Sequence, residues 1–239
     1  MRQLQLNIEP IVDANLADFA GPSWYAVIDN VRQLHTGLIK YFYVYGDAGV
    51  GKTHLLRAIC DSYLDIGKTA IQVPLLELLN APSEAIESLY HYDLIALDDL
   101  EAIDGMLDWQ KAVFNLINLS YEGQGQLIFS SRYAPSQLKL QIADLRSRLA
   151  QAVSLELPNG EKISDRQALI QGVLVRQGWQ FDQRLVEYLL MNGPTKSIDI
   201  IKTLHRLQNL LQGKNMNTLA LPQHKLKKLY VVIDQYSLK

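Results

Sequence analysis

The residues Gly46-Asp47-Ala48-Gly49-Val50-Gly51-Lys52-Thr53 fit the pattern G-x-x-x-x-G-K-[ST] at every position. The stretch before them, Tyr41-Phe42-Tyr43-Val44-Tyr45, is aromatic and β-branched, as a buried strand requires. After them, Leu55, Leu56, Ile59, Cys60 and Tyr63 recur at helical spacing until Gly67. A glycine-rich turn between a strand and a helix is the setting in which this pattern binds phosphate. The glycines let backbone N–H groups curl around phosphate oxygens, and the helix N-terminus adds the positive end of its dipole. Lys52 reaches the outer phosphates, and the Thr53 hydroxyl can ligate Mg²⁺. The competing reading is a chance glycine-rich turn.

The rest of the chain repeats the alternation. Strands are predicted at 69–73, 93–97, 126–130 and 153–157, and helices over 75–90 (broken at Pro82), 106–121 and 142–150. Strand, helix, strand, helix is the pattern of a parallel sheet covered on both faces. After Pro158-Asn159-Gly160 the strand pattern stops, and 164–177, 182–191, 197–211 and 223–236 read as helices. The expected organisation is a weakly patterned segment 1–14, an α/β domain 15–159 and a helical lid 160–239.

Composition narrows the classes. The 239 residues are 48% hydrophobic and 20% charged with a formal charge of -2, without the basic footprint of a dedicated DNA reader. A single cysteine, Cys60, excludes an internal disulfide framework and suits a reducing cytoplasm. Polar residues fill the first positions, where a signal peptide needs an apolar run, and no stretch has the length of a membrane span. A cytoplasmic location is expected. The histidines show no metal-ligand spacing.

Leu94-Ile95-Ala96-Leu97-Asp98-Asp99 is an apolar strand ending in two acids. Beside a phosphate-binding loop, Asp98 is placed to hold Mg²⁺ through water and Asp99 to orient an attacking water; a helix cap is the alternative. Ser130-Ser131-Arg132 ends the next apolar strand, where a polar side chain can sit between the two motifs or simply start a loop. Asp144-Leu145-Arg146-Ser147-Arg148-Leu149 carries two arginines on a short helix, which serve either as solvated charges or as a finger for a neighbouring subunit's site.

These motifs, in this order, resemble the AAA+ ATPases, and within them the DnaA group. LIALDDLEAI is similar to that group's Walker B strand, LIFSSRYAPSQL to its sensor 1 strand and loop, and DLRSRLAQAVSLELP to its box VII. The resemblance spans roughly residues 15 to 239. It implies an AAA+ five-stranded parallel sheet with flanking helices followed by an all-helical lid. It also implies ADP or ATP with Mg²⁺, bound by residues 46–53 together with His54, Asp98, Ser131 and Lys196. On the same mapping Asp99 and Arg148 are the catalytic positions, Arg148 being the finger. Two positions depart from the pattern. Ser131 stands where the family often has Asp, and Lys196 falls where sensor 2 is usually Arg, which keeps the charge and loses the bidentate fork.

Two further features bear on function. The sequence stops after the predicted lid, without the appended DNA-binding domain expected of an initiator. It opens with Gln3-Leu4-Gln5-Leu6-Asn7-Ile8, which resembles the hexapeptide by which proteins dock on the β sliding clamp. Its alternation suits an edge strand or a frayed end of the chain, and equally an extended ligand with Leu4, Leu6 and Ile8 filling apolar pockets. The resemblance then implies a regulator of replication initiation that binds the clamp and stimulates hydrolysis of DnaA-bound ATP. DnaA and the clamp would be its partners, DNA would be reached mainly through the clamp, and self-association stays open. The alternative is a self-sufficient AAA+ ATPase such as a DnaC-like helicase loader. A small-substrate kinase is poorly supported, since the helices follow the sheet rather than interrupt it.

Overall fold

The computed structural model describes residues 14–123, 125–212 and 219–237. The hexapeptide Gln3–Ile8 lies outside them. Two 3-10 turns, Leu16–Phe19 and Pro22–Trp24, lead into helix α1 (Tyr25–His35). Strand β1 (Tyr41–Tyr45), α2 (Lys52–Asp65), β2 (Ala70–Pro74), the single-turn helix α3 (Leu75–Leu78) and a 3-10 segment Ser83–His91 follow. Next come β3 (Leu94–Asp98), the 3-10 turn Leu100–Ile103, α4 (Leu107–Glu122), β4 (Gln126–Ser131), the 3-10 turn Pro135–Gln137, α5 (Ala143–Ala150) and β5 (Val153–Glu156). The C-terminal part is helical: α6 (Ile163–Arg176), α7 (Gln183–Asn192), α8 (Ser197–Gln212) and α9 (Gln223–Ser237).

All strand pairings are parallel, in the order β2-β3-β4-β1-β5. The expected strands are present with ends shifted by a residue or so. The helix expected over 75–90 is not continuous. It divides into α3 and a 3-10 segment flanking Asn80-Ala81-Pro82, because proline has no N–H to give and biases its predecessor away from helix.

The pleat sorts the sheet's residues into two cores. Tyr43, Ile95, Leu97, Leu127 and Phe129 point to one face, where Trp109, Val113 and Leu116 of α4 and Leu145 of α5 close over them. Phe42, Val44, Leu94, Ala96 and Ile128 point to the other, against Val27 and Val31 of α1 and Leu55, Leu56 and Ile59 of α2. Burial on both faces explains why β1, β3 and β4 read as continuous apolar runs. Cys60 belongs to the second core, and burial pushes its thiol up to about 12, so it is a packing residue.

A third core is drawn from α6 to α9, with Val173, Leu185, Ile201, Leu204 and Ile233 at its centre. These helices meet the rest of the chain mainly at the N-terminal turns. The backbone N–H of Ser23 donates to Asp165 Oδ1 (3.1 Å), and a Cβ on Gly172 would come within 2.9 Å of the Ala17 carbonyl oxygen. The connection from β5 is closed by Arg166, whose Nη1 donates to the carbonyls of Gly160 and Glu161, each at 2.8 Å.

Candidate functional site

β1 ends at Tyr45, and the loop Gly46–Gly51 turns the chain into α2. Gly46, Gly49 and Gly51 take φ values of 149°, 85° and 105°. That left-handed half of φ is open to glycine and costly to residues with a Cβ. Val50 is buried in the core beneath, pinning the loop from below. The Gly46 N–H donates to the Ser131 carbonyl (3.2 Å), which joins the loop to the end of β4.

Lys52 is buried, and its Nζ donates to the carbonyls of Gly46 (2.6 Å) and Asp47 (3.0 Å). Burial lowers its pKa, an effect opposed by the carboxylates of Glu101, Asp99 and Asp98. Thr53 is exposed beside it. Ala48, Gly49, Lys52, Thr53, His54 and Asp99 are among the residues lining one cavity of about 470 Å³. Arg57, Arg132 and Lys202 also line it. A loop of N–H donors ringed by cations suits a polyanion.

Asp98, at the end of β3, is buried. Its Oδ1 accepts from the Ser130 hydroxyl and its Oδ2 from Gln72 Nε2 (3.1 Å). Gln72 Nε2 also reaches the Thr53 carbonyl (3.4 Å), so β2 bridges the acid and the start of α2 beyond the glycine-rich loop. Asp99 is the only residue other than glycine with positive φ among the described residues (57°), and its N–H donates to the Ser130 Oγ (3.2 Å). Such a conformation persists only where the surroundings hold it, here Ser130 and the buried turn Leu100–Ile103. Burial raises the Asp99 pKa, and Asp98 and Glu101 push it the same way, against Lys52 and Arg132.

The serine that joins the two motifs is Ser130, one residue before the expected Ser131. Side chains alternate along a strand, and Ser131 faces the other core. Its hydroxyl accepts from the Tyr133 N–H (3.1 Å), and the Tyr43 phenol on that face donates to the Tyr133 carbonyl (2.8 Å). Ser131 meets the loop through its carbonyl alone. Lys196 does arrive at the loop: a Cβ on Gly49 would lie 2.7 Å from its Cδ, and Ser197, the first residue of α8, lies against Gly51.

His54, the second residue after Lys52, faces inward. Its Nε2 lies 2.9 Å from Asp18 Oδ2, and Arg176 Nη2 donates to both oxygens of the same carboxylate (2.8 and 3.1 Å). Asp18 and Gln72 were not singled out by sequence reasoning, and Ser130 and Arg132 were named only within the stretch Ser130-Ser131-Arg132. Gln72 and Ser130 carry a usable signal, a polar residue within an apolar strand. Asp18 carries none, since its partners lie 36 and 158 positions away.

Arg148 is elsewhere. Its Cζ lies 5.4 Å from the centre of the Tyr121 ring, and Lys40 Nζ lies 5.6 Å from the same ring. Lys40 precedes β1 and the loop follows it, so Arg148 sits at the opposite end of the sheet. The five-residue strand between them spans roughly 15 Å.

No family model matches the chain. Over 193 residues it is 34% identical to an uncharacterized protein of Haemophilus influenzae, an alignment that takes in 79% of this chain and 82% of that protein. The chain belongs to the family of that protein. Domain III of the Thermotoga maritima replication initiation protein DnaA matches its fold at a TM-score of 0.77 and 16% identity, over 95% of this chain and all of the other. AMPPCP-bound DnaA from Aquifex aeolicus matches at a TM-score of 0.68 and 23% identity, over 79% of this chain. This chain spans 62% of the length of that one. At these identities the likeness is one of fold. The chain's fold is that of DnaA domain III, the five-stranded parallel sheet with a C-terminal helical region that the resemblance implied. Among its described residues no helix is long and apolar enough to cross a membrane.

Proposed function

We propose that this chain is a nucleotide-binding regulator of replication initiation, an Hda-like protein that docks on the β sliding clamp and stimulates hydrolysis of ATP held by DnaA. The observation that carries the reading is the separation of Arg148 from its own phosphate loop. A finger roughly 15 Å away across the sheet serves another molecule's site. The AAA+ fold it shares with DnaA supports stacking of one such module on the other.

The chain's own site suits ADP or ATP. Residues 46–51 would wrap the phosphates with backbone N–H groups, and Lys52 would leave the loop carbonyls for phosphate oxygens. Thr53 and Asp98 fit Mg²⁺: one hydroxyl faces the cavity, and one buried carboxylate is already oriented by Ser130 and Gln72. Such an ion would supply positive charge that neutralises phosphate oxygens. Asp99 would orient water, and Lys196 would press the lid's charge onto the loop.

A second reading, a self-sufficient ATPase such as a helicase loader, is favoured by the complete set of Lys52, Asp98 and Asp99. Clamp dependence separates the two. With DNA-loaded clamp, the native chain is expected to accelerate conversion of DnaA-bound ATP to ADP. The Gln3→Ala/Leu4→Ala variant is expected to lose at least tenfold of that effect, because the peptide's main apolar and polar anchors are removed. Equal stimulation with and without clamp, or by the variant, would refute docking through Gln3–Ile8.

A further inference from the structure

Asp18 stands at the meeting point of three segments distant in sequence. Its carboxylate is buried to 0% side-chain exposure and receives Arg176 Nη2 twice, from the last turn of α6. It also takes His54, one residue past Thr53 in the first turn of α2. Locally it accepts from the Asn15 N–H (3.3 Å), which fixes the turn that presents it. Its neighbour Phe19 packs on the His54 ring at 5.6 Å between centroids and would lie 3.7 Å from a Cβ on Gly51. The turn therefore touches the glycine-rich loop from behind while its carboxylate grips the C-terminal helices. On the other side of the loop, Lys196 and Ser197 press on Gly49 and Gly51.

A buried carboxylate shared by an imidazole and a guanidinium is a costly arrangement. It keeps its partners in one geometry, because releasing either leaves charge in a poorly solvated place. Surface pairs elsewhere in the chain, such as Lys111–Asp108 with both side chains more than half exposed, cannot do this.

We propose that Asp18 is a positioning residue that locks α6 to the phosphate-loop helix through Arg176 and His54, so that the C-terminal helices cannot swing from the site without breaking a buried charge pair. Its role is retention of the nucleotide: the pair sets how fast a bound nucleoside diphosphate leaves, not how fast it enters. The proposal rests on the nucleotide reading of Gly46–Thr53.

The test is stopped-flow kinetics with mant-ADP on the full chain. Asp18→Asn and Arg176→Ala are expected to speed release about tenfold or more with association within about threefold of native, and Arg176→Lys to restore most of the retention. Release at the native rate by folded Asp18→Asn and Arg176→Ala would overturn the lock, as would equal losses in both rates with no rescue by lysine. Should Asp18→Asn fail to fold, Arg176→Ala decides, since that side chain is already at the surface on one side. Failure of the native chain to bind mant-ADP would overturn the nucleotide reading, and the lock with it, a result distinct from native binding with unaltered release in the variants.

Discussion

Replacing Arg148 by alanine is expected to reduce the stimulated hydrolysis of DnaA-bound ATP by about a thousandfold, the lower end of what an arginine finger contributes in trans. The size follows from what Arg148 touches. It stacks on Tyr121, a ring 56% exposed, and Tyr41 at the start of β1 feels its charge. Stacking of this kind contributes at most about 1 kcal/mol at an exposed site, so the fold loses little when the arginine goes. Its neighbour Arg146 differs, because its Nη2 donates to the Leu140 carbonyl (2.6 Å) and holds the entry to α5. Arg146→Ala should therefore lower stability while leaving most of the stimulation in the protein that remains folded. Arg148→Lys keeps the charge, loses the planar fork and is expected to fall between native and alanine. Single-turnover decay of ATP preloaded on DnaA reads all three variants. Full stimulation by Arg148→Ala would remove the finger from the account.

Lys52→Ala is expected to weaken binding of ADP and ATP to the chain itself by about a hundredfold or more. Two charge-assisted hydrogen bonds to phosphate, at about 1.5–3 kcal/mol each, amount to at least two decades in affinity. Folding should suffer little. Lys52 is buried among loop carbonyls, and its lowered pKa reports that burial disfavours its charged form there. Alanine removes a desolvated cation together with its hydrogen bonds, and the glycines, not the lysine, set the loop's path. Equilibrium titration with a fluorescent nucleotide, alongside thermal unfolding, separates the two effects. Native affinity in Lys52→Ala would mean that phosphate is not bound at this loop.

The parts of the fold that could be read from the sequence are those whose cause is local or periodic. β1, β3 and β4 stand where apolar runs predict them because both faces of each are buried. The glycine-rich loop is legible because its glycines answer to backbone angles that no other residue adopts cheaply. The phase of the strand's end was not legible. Nothing in Ser130-Ser131 says which hydroxyl faces Asp98 until the pleat of β4 is set by Leu127 and Phe129 on one face and Ile128 on the other. Asp18 was invisible for a different reason. Its environment is made by His54 and Arg176, and a contact between residues 158 positions apart leaves no trace in spacing or composition. Lys196 was placed by resemblance rather than by pattern, and it does lie against the loop.

The central claim is that this chain acts on ATP held by DnaA and not on its own. The direct measurement loads DnaA with labelled ATP, removes free nucleotide, adds DNA-loaded clamp and compares native chain, Asp99→Asn and Arg148→Ala. Asp99→Asn, which removes the carboxylate proposed to orient water in the chain's own site, is expected to convert the label to ADP at close to the native rate, while Arg148→Ala is not. Conversion that survives in Arg148→Ala and is lost in Asp99→Asn would contradict the account and assign hydrolysis to the chain's own site.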